Sequence, residues 1–455
     1  MSRQLTTRAQ VSGYRFGLAR AEHALIRRDA RMLADPMRSQ FRALLAGLVV
    51  AVLLLAGAGI YGLVRPSPSV GDATIVAVEG GGLFVLVDDA LHPVPNLASA
   101  RLVAGAPLPV KTVSQRSMSA YPRGPALGIP GAPAALPGPA DAGRSVWTVC
   151  DDPAGGTAVL AGPLTAPPAP AQTGALVRAG DTEWLLYQIA ADGVSLPVRA
   201  TVSSSVAVRR ALGLDGAAAR PISEALLNTF PAQPALAVPE VPGRGGPGPG
   251  PLREVPVGSV IRSLGVDDAP SYFAVLPDGI QPLTPVAAQV LRGADAGDPH
   301  AVRQVAPGVL AAVPVVRRLP VESFPEHVPA PVGADAVMCR SWSREKGTPE
   351  RETLHVSPHL PLPEGARVVS LSSADGSGPG LDGVYLRPGS GEHLRVTGGD
   401  YYVSDAGIRY RLATAEIGRM LGLSDPRPAP WPVLALLPEG PALAREPALV
   451  ARDLP

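Results

Sequence analysis

The residues of this 455-residue chain that could do phosphate, metal or covalent chemistry are few: two lysines, seven histidines, two cysteines and scattered glycines. Gly243, Gly245 and Gly248 have the G-x-G-x-x-G spacing of a dinucleotide fingerprint. That fingerprint needs a strand before it and a helix after it, whereas these glycines lie in Pro242-Gly243-Arg244-Gly245-Gly246-Pro247-Gly248-Pro249-Gly250-Pro251. The nearest approach to a P-loop is Gly105-Ala106-Pro107-Leu108-Pro109-Val110-Lys111-Thr112. It fails because Val110 stands where a second glycine is needed and two prolines remove backbone donors from the cradle. Lys346 is followed by glycine, not by Ser or Thr. His355 and His359 have the spacing of a helical zinc pair, but Pro358 lies between them and no glutamate follows His355. No serine has glycines two before and two after it, and His92, His327 and His393 have no readable partners. The residues therefore predict no catalytic, cofactor or metal site.

Cys150 and Cys339 remain, with no C-x-x-C motif and no histidine cluster beside them. In an oxidising compartment such a pair predicts one disulfide; two buried free thiols are the alternative. Val146-Trp147-Thr148-Val149 runs into the first cysteine, and Val337-Met338 precedes the second with Trp342 after it, so two apolar segments could meet in one sheet.

The compartment is set by the charge pattern. Forty basic residues face 39 acidic ones, which excludes a generally basic nucleic-acid binder. The balance is uneven, since residues 1–42 carry nine arginines against Glu22, Asp29 and Asp35. An uncharged run from Ala43 to Val64 follows, bracketed by Arg42 and Arg65. At 1.5 Å per residue it reaches about 33 Å, enough for a hydrocarbon core of about 30 Å. A cleaved signal peptide and a buried core helix fit less well, because the basic leader is too long for the first and the run has no polar face for the second. Asp72, Glu79, Asp88 and Asp89 follow the run, so the positive-inside rule predicts residues 1–42 in the cytoplasm and the rest outside. Within the leader Val11, Tyr14, Leu18, Ala21 and Leu25 form one helical stripe, a partner-binding or lipid-facing surface, with Asp35-Pro36 expected to end it.

Fifty glycines and 53 prolines gather in stretches that separate apolar segments, and only 19 residues are aromatic, so several small cores are expected. One pattern recurs four times. Leu83–Val87 turns at Asp88-Asp89 and returns into a helical run before Gly105; Trp184–Ile189 turns at Asp192-Gly193 and leads to Gly213. Tyr272–Leu276 turns at Asp278-Gly279 and leads to Gly293, and Tyr401–Val403 turns at Asp405-Ala406-Gly407 and leads to Gly422. Each copy predicts a hairpin, a short helix and a glycine stop. Residues 121–140 and 231–257 read as Pro- and Gly-rich insertions, the second without the means to pack a core. Trp431-Pro432-Val433-Leu434-Ala435-Leu436-Leu437-Pro438, in the last tail, is too apolar to stay solvated.

Thr6-Thr7-Arg8-Ala9-Gln10-Val11-Ser12-Gly13-Tyr14-Arg15-Phe16, Glu22-His23-Ala24-Leu25 and Arg31-Met32-Leu33-Ala34-Asp35-Pro36 resemble the N-terminus of the EccB family, the single-pass membrane component of actinobacterial type VII (ESX) secretion systems. The likeness continues through His92-Pro93-Val94-Pro95-Asn96-Leu97-Ala98-Ser99-Ala100-Arg101-Leu102, the two cysteines and Leu436-Leu437-Pro438-Glu439-Gly440-Pro441. It implies a periplasmic body of four repeat domains around a central sheet, similar to cell-wall-binding modules of phage lysins. It also implies EccC-, EccD- and EccE-like membrane partners, with an FtsK-like EccC motor hydrolysing ATP.

The expected fold is α+β. A basic amphipathic helix (1–42) and a transmembrane helix (43–64) precede repeat 1 (66–120), a linker with the Cys150 strand (121–174) and repeat 2 (175–220). A Pro/Gly-rich loop (221–257), repeat 3 (258–325), the Cys339 segment (326–365), repeat 4 (366–423) and a Pro-rich tail (424–455) complete it. The expected function is a structural, non-catalytic subunit, with further copies of itself and peptidoglycan as further partners. The alternatives are an ATP hydrolase, ATP then being its cofactor, and a membrane-anchored cell-wall-binding module.

Overall fold

The computed structural model describes residues 7–29, 36–64, 70–78, 80–191, 193–265, 269–294 and 302–453. Glu79, Asp192 and the resemblance residues Thr6 and 31–35 lie outside them. The chain forms two compact units, Met1–Gly71 with Val113–Met118, and Asp72–Thr112 with Ser119–Pro455.

In the first unit a helix spans Arg8–Arg27. Thr7 caps it, accepting from the Gln10 amide while the Gln10 side chain accepts from the Thr7 amide, so two orphan donors at the helix start are satisfied. The expected stop at Asp35-Pro36 is too late: Arg28 already adopts the left-handed conformation, φ 50°, and Pro36 opens the next helix instead. That helix runs Pro36–Val64, and its stretch Phe41–Tyr61 is the one helix among the described residues long and apolar enough to cross a membrane.

The second unit is a mixed α+β body with five sheets. Four of them share one connectivity. Three antiparallel strands lead into a short helix, and a last short strand pairs beside the first. The strands are Ile75–Val78, Leu83–Val87, Ala90–Val94 and Val110–Val113 in meander 1. In meander 2 they are Thr173–Ala179, Thr182–Ala191, Val194–Thr201 and Arg220–Pro221, and in meander 3 Val260–Leu264, Pro270–Leu276, Gly279–Leu283 and Arg303–Gln304. Meander 4 has Gly391–Val396, Gly399–Ser404, Arg409–Arg411 and Arg427–Pro428. Asp88 (φ 47°) and Asp89 (φ 61°) both take positive φ, the primed turn whose twist matches a two-residue hairpin.

The helices fix how the meanders pair. Leu97–Ala104 of meander 1 packs on Ala415–Leu421 of meander 4, and the Arg101 guanidinium donates to the Leu421 carbonyl at 2.5 Å, capping the end of its neighbour. Val206–Ala211 of meander 2 packs on Pro285–Gly293 of meander 3. The sequence pattern predicts Gly293 as a stop, as Gly105, Gly213 and Gly422 are with φ near 70°, but it lies inside the last helical turn. A Cβ there would meet the Ala207 methyl at 3.1 Å, so this glycine serves close helix approach. Two cores result, one from meanders 2 and 3 around Leu185, Val290 and Leu291, the other from meanders 1 and 4 around Leu102, Tyr402 and Leu421.

Between them stands a six-stranded sheet in the order Arg351–Ser357, Val337–Glu345, Arg144–Asp151, Thr157–Ala161, Gly383–Tyr385, Val369–Ser370. Its last two strands come from residues 366–390, which the sequence reading gives to repeat 4. The expected loop 221–257 also differs, for it contains the helix Glu224–Leu227 and buries Leu236, Val241, Leu252, Val255 and Val257. The reason is a short motif repeated in all four meanders. Pro122, Pro231, Pro314 and Pro438 accept from the amides of Leu91, Arg199, Ile280 and Arg409, and the amide two residues after each proline donates back to the same residue. Each arm thus covers the outer edge of its third strand, and a proline at the accepting position loses nothing by lacking an N–H. The C-terminal tail packs likewise, with Val433, Leu434 and Leu437 buried against the central sheet and Trp431 left 44% exposed.

Candidate functional site

Cys150 and Cys339 lie directly opposite each other on adjacent antiparallel strands of the central sheet and form a disulfide, with both residues fully buried. Three positions along the same strands Trp147 faces Trp342. An odd spacing places this pair on the other face of the sheet, where it joins the core with Met338, Phe230 and Val433. The sheet is therefore stapled on one face and packed with aromatics on the other.

Polar groups tie the neighbouring parts to this staple. The Asp151 carboxylate accepts from the Thr157 hydroxyl (3.0 Å) and from both the amide and the hydroxyl of Ser223 (2.7 Å each). Ser223 is the N-cap of Glu224–Leu227, so one carboxylate fixes the arm of meander 2 to the central sheet. Burial pushes the Asp151 carboxyl above its usual range, against these hydrogen bonds and the nearby Arg220 cation, which favour the ionised form. Arg340, buried in the next strand, pairs with Glu352, and its guanidinium lies 5.4 Å from the Phe230 ring centroid. The Trp342 indole N–H donates to Glu350 at 3.1 Å.

The phosphate-like stretches fall where a phosphate gains nothing. Gly105 is the left-handed cap at the C-terminal, electronegative end of Leu97–Ala104, and its amide donates to the Arg101 carbonyl at 2.8 Å. The amides of Gly245 and Gly246 donate to the carbonyls of Val257 and Gly243, and a Cβ on Gly248 would strike the Leu252 and Val255 carbonyl oxygens. These residues do not fit a nucleotide, which needs free amides pointing at its phosphates. His355 sits on a strand, not a helix; its Nδ1 donates to the Ala166 and Pro167 carbonyls, which leaves Nε2 of the neutral ring to accept from the Thr353 hydroxyl, and burial pushes its imidazole below the usual range. His359 is exposed, His327 is exposed, His92 bonds the Pro125 carbonyl and His393 the Ser424 carbonyl. No three potential metal ligands cluster among the described residues.

The stripe on the first helix is uncovered: Val11 is 40% exposed, Leu18 54%, Tyr14 72% and Leu25 81%, and Ala21 is exposed too.

The chain matches known proteins along its whole length. The family model described as "Type VII secretion system ESX-1, transport TM domain B" matches residues 3–455. The chain belongs to the EccB family. Among EccB relatives, the "ESX-3 secretion system ATPase EccB3" of Mycolicibacterium smegmatis is 38% identical, over 99% of this chain and 92% of its own. The "ESX-1 secretion system ATPase EccB1" of Mycobacterium tuberculosis is 34% identical, over 100% of this chain and 96% of its own. A chain in an intact ESX-5 inner membrane complex superposes with a TM-score of 0.76 at 35% identity, covering 100% of this chain and 97% of that one. A chain of an EccB3 dimer from the ESX-3 core complex gives 0.72 at 34% identity, covering 83% of this chain and all of that one.

The sequence reading missed the residues that carry the sheet contacts. Asp151 and Ser223 lie 72 positions apart and have no local signal. The arm prolines do have one, an apolar residue or tyrosine before each proline at 121–122, 230–231, 313–314 and 437–438, which becomes visible only when the four copies are aligned on their third strands.

Proposed function

We propose that this EccB-family chain is a structural membrane subunit of a type VII secretion complex, with its four meanders acting as repeat domains of an extracytoplasmic body. The observation that carries the reading is the similarity to chains solved within ESX inner membrane assemblies, over 100% of this chain for the intact ESX-5 complex and over 86%, at a TM-score of 0.74, for an ESX-5 periplasmic assembly. The basic helix Arg8–Arg27 lies on the cytoplasmic side, the Phe41–Tyr61 segment crosses the inner membrane once, and the body with its disulfide stands outside. EccC-, EccD- and EccE-like subunits and further copies of the chain are its partners. Peptidoglycan is a further ligand of the repeat domains. Pull-down of the full-length protein from detergent-solubilised membranes tests this, with those subunits expected in the eluate; recovery of the chain alone would overturn it.

The names of the relatives favour a second reading, an ATPase. Against it stand the amides of Gly105, Gly245 and Gly246, all spent on protein carbonyls. Purified full-length protein is expected to turn over no ATP above a heat-inactivated control, and turnover that co-elutes with the chain would replace the structural reading.

A further inference from the structure

Three neighbouring strands of the central sheet end together where Arg144–Asp151 begins and where Thr157–Ala161 and Gly383–Tyr385 finish. A cavity of about 350 Å³ opens at this sheet end, within the size range of small-molecule sites. Its walls are mostly apolar, with Trp147, Ala161 and Leu386 among them, and none of these comes from a loop tip. Trp147 and Ala161 are cross-strand partners and share one face of the sheet, whereas Tyr385, in register with Leu160, belongs to the other, so the cavity takes in the end of the sheet from both faces.

The polar groups are few and unequal in their commitments. Arg427 is spent, because it pairs with Glu392 and donates to the Asp141 and Arg144 carbonyls. Arg144 is held only loosely, 3.8 Å from Glu345. The exposed Arg387 guanidinium and the half-buried Tyr385 hydroxyl have no protein partner among the described residues. Around an apolar hole three guanidiniums thus face Asp141 and Glu392, with Glu345 beside Arg144 balancing the charge, and the uncommitted donors are Arg387 and Tyr385.

We propose that this cavity is a binding site for a small aliphatic carboxylate, its chain lying against Ala161 and Pro163 and its anionic end held at the opening by Arg387, with Tyr385 as a second donor. The choice of an anion follows from the uncommitted Arg387 guanidinium, and the choice of an aliphatic body from the apolar walls. A charged hydrogen bond to a carboxylate is about twice as strong as a neutral one, so an uncharged ligand of the same length binds less well. The proposal is independent of the secretion role.

The test uses full-length protein in lipid nanodiscs, titrated with octanoate and followed by tryptophan fluorescence, with empty nanodiscs subtracted. Wild type is expected to give a saturable change, weakened at least tenfold in Arg387→Ala, and octan-1-ol is expected to bind at least tenfold less tightly than octanoate. Ala161→Leu fills the cavity from the strand and should abolish the signal, while far-UV circular dichroism of each variant establishes that it is folded. A signal unchanged in Arg387→Ala, equal affinity for octanol, or no saturable change in wild type overturns the proposal.

Discussion

The helix Arg8–Arg27 and the strand Arg144–Asp151 are both patterned with apolar residues and treated in opposite ways. On the strand Trp147 is 1% exposed and Cys150 fully buried, and every apolar side chain finds its partner inside the chain. On the helix Tyr14 and Leu25 are more than two-thirds exposed. Fully burying a side chain of the size of leucine is worth about 1.5–3 kcal/mol, so the strand's burial stabilises the body while the helix's pattern buries nothing within its own unit. The strand explains how the body folds; the helix stripe is left uncovered within its own unit, and in the proposed complex a partner surface covers it. Substitutions in the two places therefore separate folding from assembly.

The largest effect falls on the staple. Joining residues 189 positions apart removes about 5 kcal/mol of unfolded-state entropy in the chain-entropy model, and loss of native disulfides costs about 2–5 kcal/mol in practice. Cys150→Ala with Cys339→Ala is expected to lower the unfolding free energy of the body by an amount in that range, read by denaturant titration. The non-reduced wild type should show the linked peptide by mass spectrometry. Alkylation of both thiols without reduction would remove the contrast between staple and helix.

Next comes the buried ion pair on the adjoining strand. Glu352→Gln leaves the Arg340 cation enclosed without its counter-charge, and about 3 kcal/mol is expected to be lost. Arg340→Met combined with Glu352→Leu should recover most of it, since two apolar groups of similar volume carry no unpaired charge. A double variant no better than the single one would mean that Arg340 matters for its packing on Phe230, not its charge.

Asp151 sharpens the comparison by pH. Its carboxyl is raised above the ordinary value of 3.8, mainly by burial, so the folded state holds the proton more tightly than the unfolded state. Stability from this group is complete below the ordinary value and declines as pH rises through the raised one. Asp151→Asn loses good acceptor geometry for Ser223 and Thr157, at a cost of about 1–2 kcal/mol, and has no titration. The stability advantage of wild type over the variant should therefore shrink as pH is raised from below 3.8 into the neutral range. An advantage that grows with pH would show that the hydrogen bonds from Ser223 dominate over burial.

These residues also mark what the sequence makes legible. The uncharged run 43–64 and the turn at Asp88-Asp89 are local signals, because length, charge and φ preference each act within a few residues. The paired cysteines were legible as a pair, since compartment and number suffice without geometry. Two-residue return strands such as Arg303–Gln304 and Arg427–Pro428 are too short for any periodicity. The arm residues read as insertions because prolines dominate them, yet a proline can accept at a sheet edge, and its partner strand lies about 30 positions away or more. The cavity beside Trp147 was illegible for the same reason, as Arg387 and Ala161 converge only through sheet topology.

The smallest effect on the body is expected at the helix. Leu18→Asp puts a carboxylate in the middle of a stripe that is exposed in the isolated chain, so the unfolding free energy of the body should change by less than about 0.5 kcal/mol, as for other surface changes. In an assembly the same carboxylate would be enclosed without a partner, at a cost large enough to break a contact. Lipid and protein surfaces are told apart by what fails. If the stripe docks on another secretion subunit, the variant reaches the membrane at the wild-type level but no longer co-purifies with EccC- and EccD-like chains. If it rests on anionic headgroups, co-purification survives and only binding of the helix to anionic vesicles falls. Undiminished recovery of both subunits, normalised to the membrane level of the variant, would remove the assembly role of Val11, Tyr14, Leu18, Ala21 and Leu25 and leave the exposed stripe to the lipid surface.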